Sequence, residues 1–273
     1  MIKVRIVGGL GNQLFQLGVA SLMSLRTGCP VGLDLSALRS YKTPREFTAA
    51  KLFDLDKAFP AGHAFIKSSV LGSRIARVVG VSTPLFALVN DKNVCRVLKA
   101  DWSRGDLFVD GYFIESIDQE AFDDWTGFIL DSLRTEKDID PDTCAIHIRG
   151  GDFLKLGWDA SAGKESYIRL VDQVLMERPK AKLVVATDDA KYASHLLEDL
   201  SHPWEFSGGN EISDFQLLLH SEFAIIGNST FSFCARAFAE RLSKSTKTFA
   251  SKEWRPGIER KLKLPSERGH ELL

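Results

Sequence analysis

The residues best equipped for chemistry are His147-Ile148-Arg149-Gly150-Gly151-Asp152, a fixed cation, a titratable ring and two glycines after a short apolar run. Arginine presents a planar fork of donors that stays charged at any working pH, so it grips a phosphate or diphosphate at two points where lysine acts as a point charge. The glycines let main-chain N–H groups approach an oxyanion and allow positive φ angles. Together these residues are the equipment of an anion site. The plain alternative is a strand-end turn closed by an Arg149–Asp152 surface ion pair.

Two further strings fall at expected strand ends in the same half of the chain. Ala186-Thr187-Asp188-Asp189 has the chemistry to hydrogen-bond a base or ribose, to cap the next helix, or to hold a metal. Gly227-Asn228-Ser229-Thr230-Phe231-Ser232 offers hydroxyls and N–H groups to an anion and a ring, Phe231, to a planar base; the alternative is an N-cap followed by core aromatics. Near the start, Gly8-Gly9-Leu10-Gly11-Asn12-Gln13 follows an apolar segment and opens a helix. It is not a dinucleotide fingerprint. Counted from Gly9, Leu14 stands where the third glycine belongs, and counted from Gly8, Leu10 stands at the second, which argues against a nicotinamide or flavin enzyme. Asn12 and Gln13 bring neutral donors and acceptors to a helix N-terminus, or serve as part of a capped glycine turn.

Such strings need strands that deliver them to one edge. Residues 3–7 read as a first strand, 14–25 as a helix, 31–35 as a second strand, 107–113 as a strand and 116–134 as a helix. Residues 68–99 read as helical stretches broken at Pro84. The polar segment 135–143, which contains Pro141, reads as a linker between domains 1–136 and 137–273. Beyond it, 144–148, 182–187 and 223–226 read as strands, and 164–178, 190–200 and 229–240 as helices. Two successive α/β halves imply two parallel-sheet, Rossmann-like domains facing across a cleft, with ligands at the carboxyl ends of the strands. The charged tail after Trp254 reads as a short helix or a fraying end, and such a last helix has the option of packing back on the first domain.

Composition narrows the classes. The 273 residues are 44% hydrophobic and 26% charged, with a formal net charge of −1, so the chain lacks the basic excess of a nucleic-acid binder. Cys29, Cys95, Cys144 and Cys234 lie far apart without metal-ligand spacing and read as reduced thiols. Apolar runs fall short of the ~20 residues that span a bilayer, and no secretory signal is read, so the expectation is a cytoplasmic protein with at most peripheral membrane contact. Lys67, Arg74 and Arg77 are candidates for that contact, or simply a solvated helix face. Asp54-Leu55-Asp56 and Asp138-Ile139-Asp140 are DxD strings that would support a rival, metal-dependent reading, although neither follows a clear buried strand. A non-catalytic binding module, in which the same anion site holds its ligand without turnover, is a second rival.

The strings Gly8-Gly9-Leu10-Gly11-Asn12-Gln13-Leu14-Phe15-Gln16, HxRxGD, Thr-Asp-Asp and Asn-Ser-Thr-Phe-Ser, in this order and spacing, resemble family 11 glycosyltransferases, the α-1,2-fucosyltransferases. Softer matches are Leu33-Asp34-Leu35, Gly111-Tyr112-Phe113, Asp214 to Leu219 and Ala250-Ser251-Lys252-Glu253-Trp254. The resemblance implies a GT-B-like α/β arrangement in which the second domain binds GDP-fucose and the first takes the acceptor. It further implies inverting transfer of L-fucose to a glycan hydroxyl, the 2-OH of a galactoside, without metal or other cofactor, GDP-fucose being a substrate. The acceptor would be an oligosaccharide or a lipid-linked glycan such as an O-antigen unit. Carried over by residue, Arg149 grips the β-phosphate while His147 and Asp152 shape that strand end. Thr187, Asp188, Asp189 and Phe231 lie near the nucleoside, and Asn228, Ser229, Thr230 and Ser232 near the phosphates. Gly9, Gly11, Asn12 and Gln13 form the acceptor-side loop, with Asn12 catalytic beside Arg149 and facing the diphosphate. Two positions depart from the pattern: most relatives have a second arginine where this chain has Gly150, and a Trp-Trp pair in place of Phe233-Cys234. Asp34, Glu46, Asp110 and Glu115 are carboxylates in the first half, each readable as a surface or capping group, and none is assigned as a base.

Overall fold

The computed structural model describes residues 1–40, 45–67, 86–100, 106–135, 140–158 and 163–268. The chain divides into two units, Met1–Arg134 and Thr135–Leu273, each built on a five-stranded parallel sheet. In the first, β1 (Ile2–Arg5), β2 (Val31–Asp34), β3 (His63–Ile66), β4 (Phe86–Val89) and β5 (Asp106–Val109) lie in the order β3-β2-β1-β5-β4. Val4 pairs with Leu33 on one side and Val109 on the other, and all three are buried, as expected of strands covered on both faces. Helix α1 (Leu10–Thr27) starts directly after Gly9, earlier than the apolar periodicity alone indicates, and ends where Gly28 turns left-handed at φ 65° and donates to Ser24. Helix α2 (Gln119–Phe128) packs on α1 through Phe15, Phe122 and Trp125, whose ring centroids lie 5.4–5.9 Å apart. A side chain at Gly18 would stand 2.4 Å from the Trp125 ring, so only glycine admits that seat.

In the second unit β6 (Asp140–Ile148), β7 (Lys182–Thr187), β8 (Trp204–Phe206), β9 (Ser221–Ile226) and β10 (Lys247–Ala250) form the order β10-β9-β6-β7-β8. Among the described residues five α-helices accompany them: α3 (Gly151–Lys155), α4 (Gly163–Glu177), α5 (Ala190–Leu196), α6 (Glu211–His220) and α7 (Thr230–Leu242). Cys144, Ile146 and Ile148 of β6 and Leu183 and Val185 of β7 pack with Val171 and Val174 of α4. The chain moves outward from β6 through β7 to β8, then returns to the other side for β9 and β10. That reversal beside the end of β6 is where open parallel sheets bind ligands. Arg236, fully buried on α7, donates to the carbonyls of Leu218 and Ser221 at 2.6 and 2.7 Å and to Thr248 Oγ1 at 2.9 Å. It thereby ties the end of α6, the start of β9 and β10 to one helix.

The structure differs from the sequence expectation in several places. Residues 86–89, read within a helical stretch, are strand β4, because Ala87 and Val89 are buried and pair along β5. Arg74, Arg77 and Pro84 lie outside the described residues. The segment read as a linker already belongs to β6 from Asp140, and a shift in the β6–β9 ladder between Asp140 and Cys144 spans Pro141. After Trp254 there is no α-helix among the described residues: β11 (Glu253–Arg255) pairs with β12 (Ile258–Glu259), and a 3-10 turn follows at Pro265–Arg268. This strap packs on α7, where Ser266 donates to Glu240 at 2.8 and 2.9 Å and the buried Arg260–Glu267 pair sits with the Arg260 guanidinium 4.8 Å from the Phe233 ring.

Candidate functional site

The strand register aligns Ile148 with Thr187 and His147 with both Ala186 and Ile226. Continued past the strand ends, this register sets positions 149, 188 and 228 side by side. Parallel pairing thus gathers the HxRxGD, Thr-Asp-Asp and Asn-Ser-Thr-Phe-Ser strings at one carboxyl edge.

Arg149 is three-quarters buried and ion-paired to Asp152 Oδ1 at 2.7 Å and to Asp188 Oδ2 at 2.9 Å, with its guanidinium 5.2 Å from the Phe153 ring. The other Asp188 oxygen accepts from the Gly150 N–H at 2.9 Å. Asp189 caps α5: its carboxylate accepts from Tyr192 N–H at 3.1 Å, and its own N–H donates to Thr187 Oγ1 at 3.0 Å. Of the adjacent acids, Asp188 is thus the one bonded to Arg149 and the following turn, and Asp189 holds a helix end. Gly150 and Gly151 admit nothing larger. A Cβ on Gly150 would lie 2.6 Å from Asp189 Cβ, and one on Gly151, at φ +44°, 2.6 Å from Asp188 Oδ2.

His147 points inward. It is 5% exposed, its ring lies 5.4 Å from Phe231, and Phe231 in turn meets Phe215 edge-on at 5.6 Å. Burial, reinforced by the Arg149 guanidinium, pushes the imidazole pKa down from 6.5 to about 3, so the ring is neutral at working pH. Its Nδ1 is buried without a hydrogen-bond partner.

The start of α7 is held from below by Asn228, whose side-chain amide donates to the carbonyls of Trp158 at 2.6 Å and Trp254 at 3.0 Å. Ser229 occupies the N-cap but makes no side-chain capping bond, and Ser232 Oγ donates back to the Ser229 carbonyl at 3.2 Å. Phe231 is half-buried, and Thr230 stands with it in the first turn. The leading N–H groups of a helix have no carbonyl four residues back, and the helix dipole makes that end attractive to an anion.

The N-terminal string is built differently. Gly9 is the N-cap of α1, and Gly11, Asn12 and Gln13 lie in the first helical turn. Gln13 is 1% exposed; its amide donates to the Gly8 and Glu46 carbonyls at 3.1 and 2.8 Å and accepts from Ala49 N–H at 3.2 Å. Gln16 likewise bridges both backbone groups of Val7 and the Gly111 carbonyl. Asn12 lies over Gly8, where a Cβ would meet its Nδ2 at 2.5 Å. Of the first-half carboxylates, Asp34 accepts from Ser36 N–H, Asp110 pairs with Arg5 and Glu46 pairs with Lys51. Asp54 of the first DxD string caps a helical turn through the N–H groups of Asp56 and Lys57, and Asp138 of the second lies outside the described residues. Among the described residues no group of three or more His, Cys, Asp or Glu could hold a metal ion, and no helix is long and apolar enough to cross a membrane.

Sequence reasoning passed over Phe153 and Trp158, which meet edge-on at 5.7 Å beside Arg149, and Arg255, whose guanidinium lies 5.7 Å from the Trp158 ring. For Phe153 and Trp158 the signal is the aromatic content after HxRxGD, whereas Arg255 follows Trp254 and meets the Trp158 ring across a long stretch of chain.

Among solved structures, the chain is similar to the fucosyltransferase NodZ from Bradyrhizobium, at 16% identity over 87% of this chain and 92% of that one with a TM-score of 0.51. It is also similar to POFUT1 in complex with GDP-fucose, at 11% identity over 94% and 98% with a TM-score of 0.55. At such identities the likeness is one of fold, the GT-B architecture of two parallel α/β units. No curated protein sequence matches the chain. The sequence pattern described as Glycosyl transferase family 11 matches residues 113–255, a span that takes in β6, β7 and β9 and all three strings at their ends, and the chain belongs to that family.

Proposed function

We propose that this glycosyltransferase moves L-fucose from GDP-fucose, with inversion and without a metal, to a glycan hydroxyl, the 2-OH of a galactoside. The second unit takes the donor, and the first, with Asn12 in the opening turn of α1, takes the acceptor. The observation that carries this reading is the convergence of Arg149 and the α7 N-terminus at one edge of a parallel sheet. Membership of family 11 supports it, as does the shared fold with fucosyltransferases, one of which, the NodZ α-1,6-fucosyltransferase, was soaked with GDP-fucose.

The chemistry follows from charge. As the fucosyl–phosphate bond breaks, the sugar becomes oxocarbenium-like and negative charge accumulates on the departing diphosphate. Fixed donors there stabilise the transition state more than the ground state. Arg149, aimed by Asp152 and Asp188, offers its remaining N–H groups, and the first amides of α7 with the hydroxyls of Ser229 and Thr230 complete the cradle. Phe231 borders the nucleoside, and Asp188 reaches it only by leaving Arg149, so its main work is to hold the guanidinium. A neutral His147 leaves Arg149 as the cation of the HxRxGD string.

A donor screen read by nucleotide release, run with and without EDTA in the presence of galactosides, tests the proposal. GDP release from GDP-fucose, unchanged by chelator, is the expected result. Turnover of another sugar nucleotide, activity restored only by manganese, or tight GDP binding without turnover would each overturn it.

A further inference from the structure

Arg149 does not by itself make this strand edge positive. One guanidinium stands against the two carboxylates of Asp152 and Asp188, at 2.7 and 2.9 Å, so the three side chains sum to one negative charge. A nucleoside diphosphate adds several more, and a helix N-terminus offsets only about half an elementary charge. Position 150 has no room for a second cation, since its Cβ would collide with Asp189 and come within 3.1 Å of Tyr192 Cδ1.

We propose that Arg255 is the second cation of the diphosphate site, an inference that rests on the nucleotide-sugar reading above. Asn228, the residue before the N-cap of α7, donates to the Trp254 carbonyl at 3.0 Å and so fixes the peptide that leads into Arg255. The same amide donates to the Trp158 carbonyl at 2.6 Å, and the Arg255 guanidinium lies 5.7 Å from the Trp158 ring. The backbone that leads into Arg255 and the backbone of Trp158, whose ring lies beneath its guanidinium, are therefore fastened by one side chain at the helix start. Arg149 is carried in the same way on Phe153, and the Phe153 and Trp158 rings touch edge-on at 5.7 Å. The two guanidiniums thus flank one aromatic pair formed by α3 and the turn after it. Contact through the ring face orients a guanidinium while its donors stay in its plane, the geometry suited to phosphate oxygens.

Calorimetric titration of wild type, Arg255→Ala, Arg255→Lys and Lys252→Ala with GDP and GMP tests this assignment. Lys252 is exposed on the same strap and serves as the control for general surface charge. Arg255→Ala is expected to weaken GDP by about ten- to a hundredfold, the worth of a charge-assisted contact, while GMP changes far less. Arg255→Lys should recover part of the loss, and Lys252→Ala should bind like wild type. A folded Arg255→Ala with the wild-type ratio of GDP to GMP affinity overturns the inference; if that variant fails to fold, the same ratio in Arg255→Lys decides. UDP and UMP run in parallel separate the two readings. A wild type that prefers UDP removes the fucosyl assignment, yet loss of diphosphate preference in Arg255→Ala would still support Arg255. A wild type that binds neither diphosphate overturns both.

Discussion

Asp188 holds Arg149 through one carboxylate oxygen at 2.9 Å and the Gly150 amide through the other, also at 2.9 Å. A single side chain at the end of β7 therefore fixes both the guanidinium and the backbone turn behind it. Asp188→Asn keeps an acceptor for the amide but loses the charge that aims Arg149. Turnover is expected to fall about tenfold, in line with the loss of one charge-assisted contact, with little change in thermal midpoint. Asp188→Ala removes both bonds and should cost more in both respects. Steady-state kinetics with melting curves on the two variants check the order, and equal effects from both would contradict it.

Gly150 is fixed by its neighbours. Its Cβ would stand 2.6 Å from Asp189 Cβ, the residue that caps α5, so Gly150→Ala should destabilise the chain by about 1–3 kcal/mol through overpacking. Gly150→Arg, which adds a second cation next to Arg149, should lower rather than raise GDP affinity, because the side chain displaces Asp189 and Tyr192. Denaturant melts and GDP titration measure both effects; a Gly150→Arg protein with normal stability and tighter GDP binding would show that the turn yields easily.

His147 gives a prediction in pH. Burial keeps the ring neutral in the fold down to about pH 3, whereas an unfolded imidazole takes up its proton near pH 6.5. Between these values the unfolded chain binds the extra proton, so this contribution to stability is fully present above pH 6.5. It is lost as pH falls toward 3, at up to about 1.4 kcal/mol per pH unit. His147→Phe removes the titrating group and should flatten that acid-side decline in urea melts collected across this window. An equally steep decline in the variant would show that His147 does not cause it.

Asn228 joins the start of α7 to two distant carbonyls, Trp158 and Trp254. Asn228→Ala should lower stability by about 1–3 kcal/mol, because both carbonyls are left without their donor. Asn228→Asp should be worse than alanine, since it turns a carboxylate toward both carbonyls and adds negative charge beside the proposed phosphates. Melting curves and GDP titration on the pair test the ranking, and an aspartate variant that outperforms alanine would contradict it.

Much of this arrangement was legible in the sequence for a physical reason. The run 183–186 is apolar because β7 is covered on both faces, and the acids that follow the strand mark its carboxyl edge. Parallel pairing then brings the ends of β6, β7 and β9 together without further information. Strands β8 and β10 were missed because three or four partly exposed residues carry no pattern, and β4 because its short apolar run beside Pro84 also suits a helix. Gln13 read as a ligand group because the same amide chemistry serves the backbone, and only burial tells the two uses apart. The anchors of Asn228 lie 70 and 26 residues away and accept through carbonyls, which leave no trace in side-chain identity.

The central claim is that the Arg149 guanidinium receives charge shed when the sugar leaves its nucleotide, and the rate of GDP release by a folded Arg149→Ala variant tests it most directly. With saturating GDP-fucose and acceptor, turnover is predicted to fall by about 10²–10³, as for loss of one fixed donor at a developing oxyanion. A variant with a native melting curve and near-wild-type turnover would contradict the account.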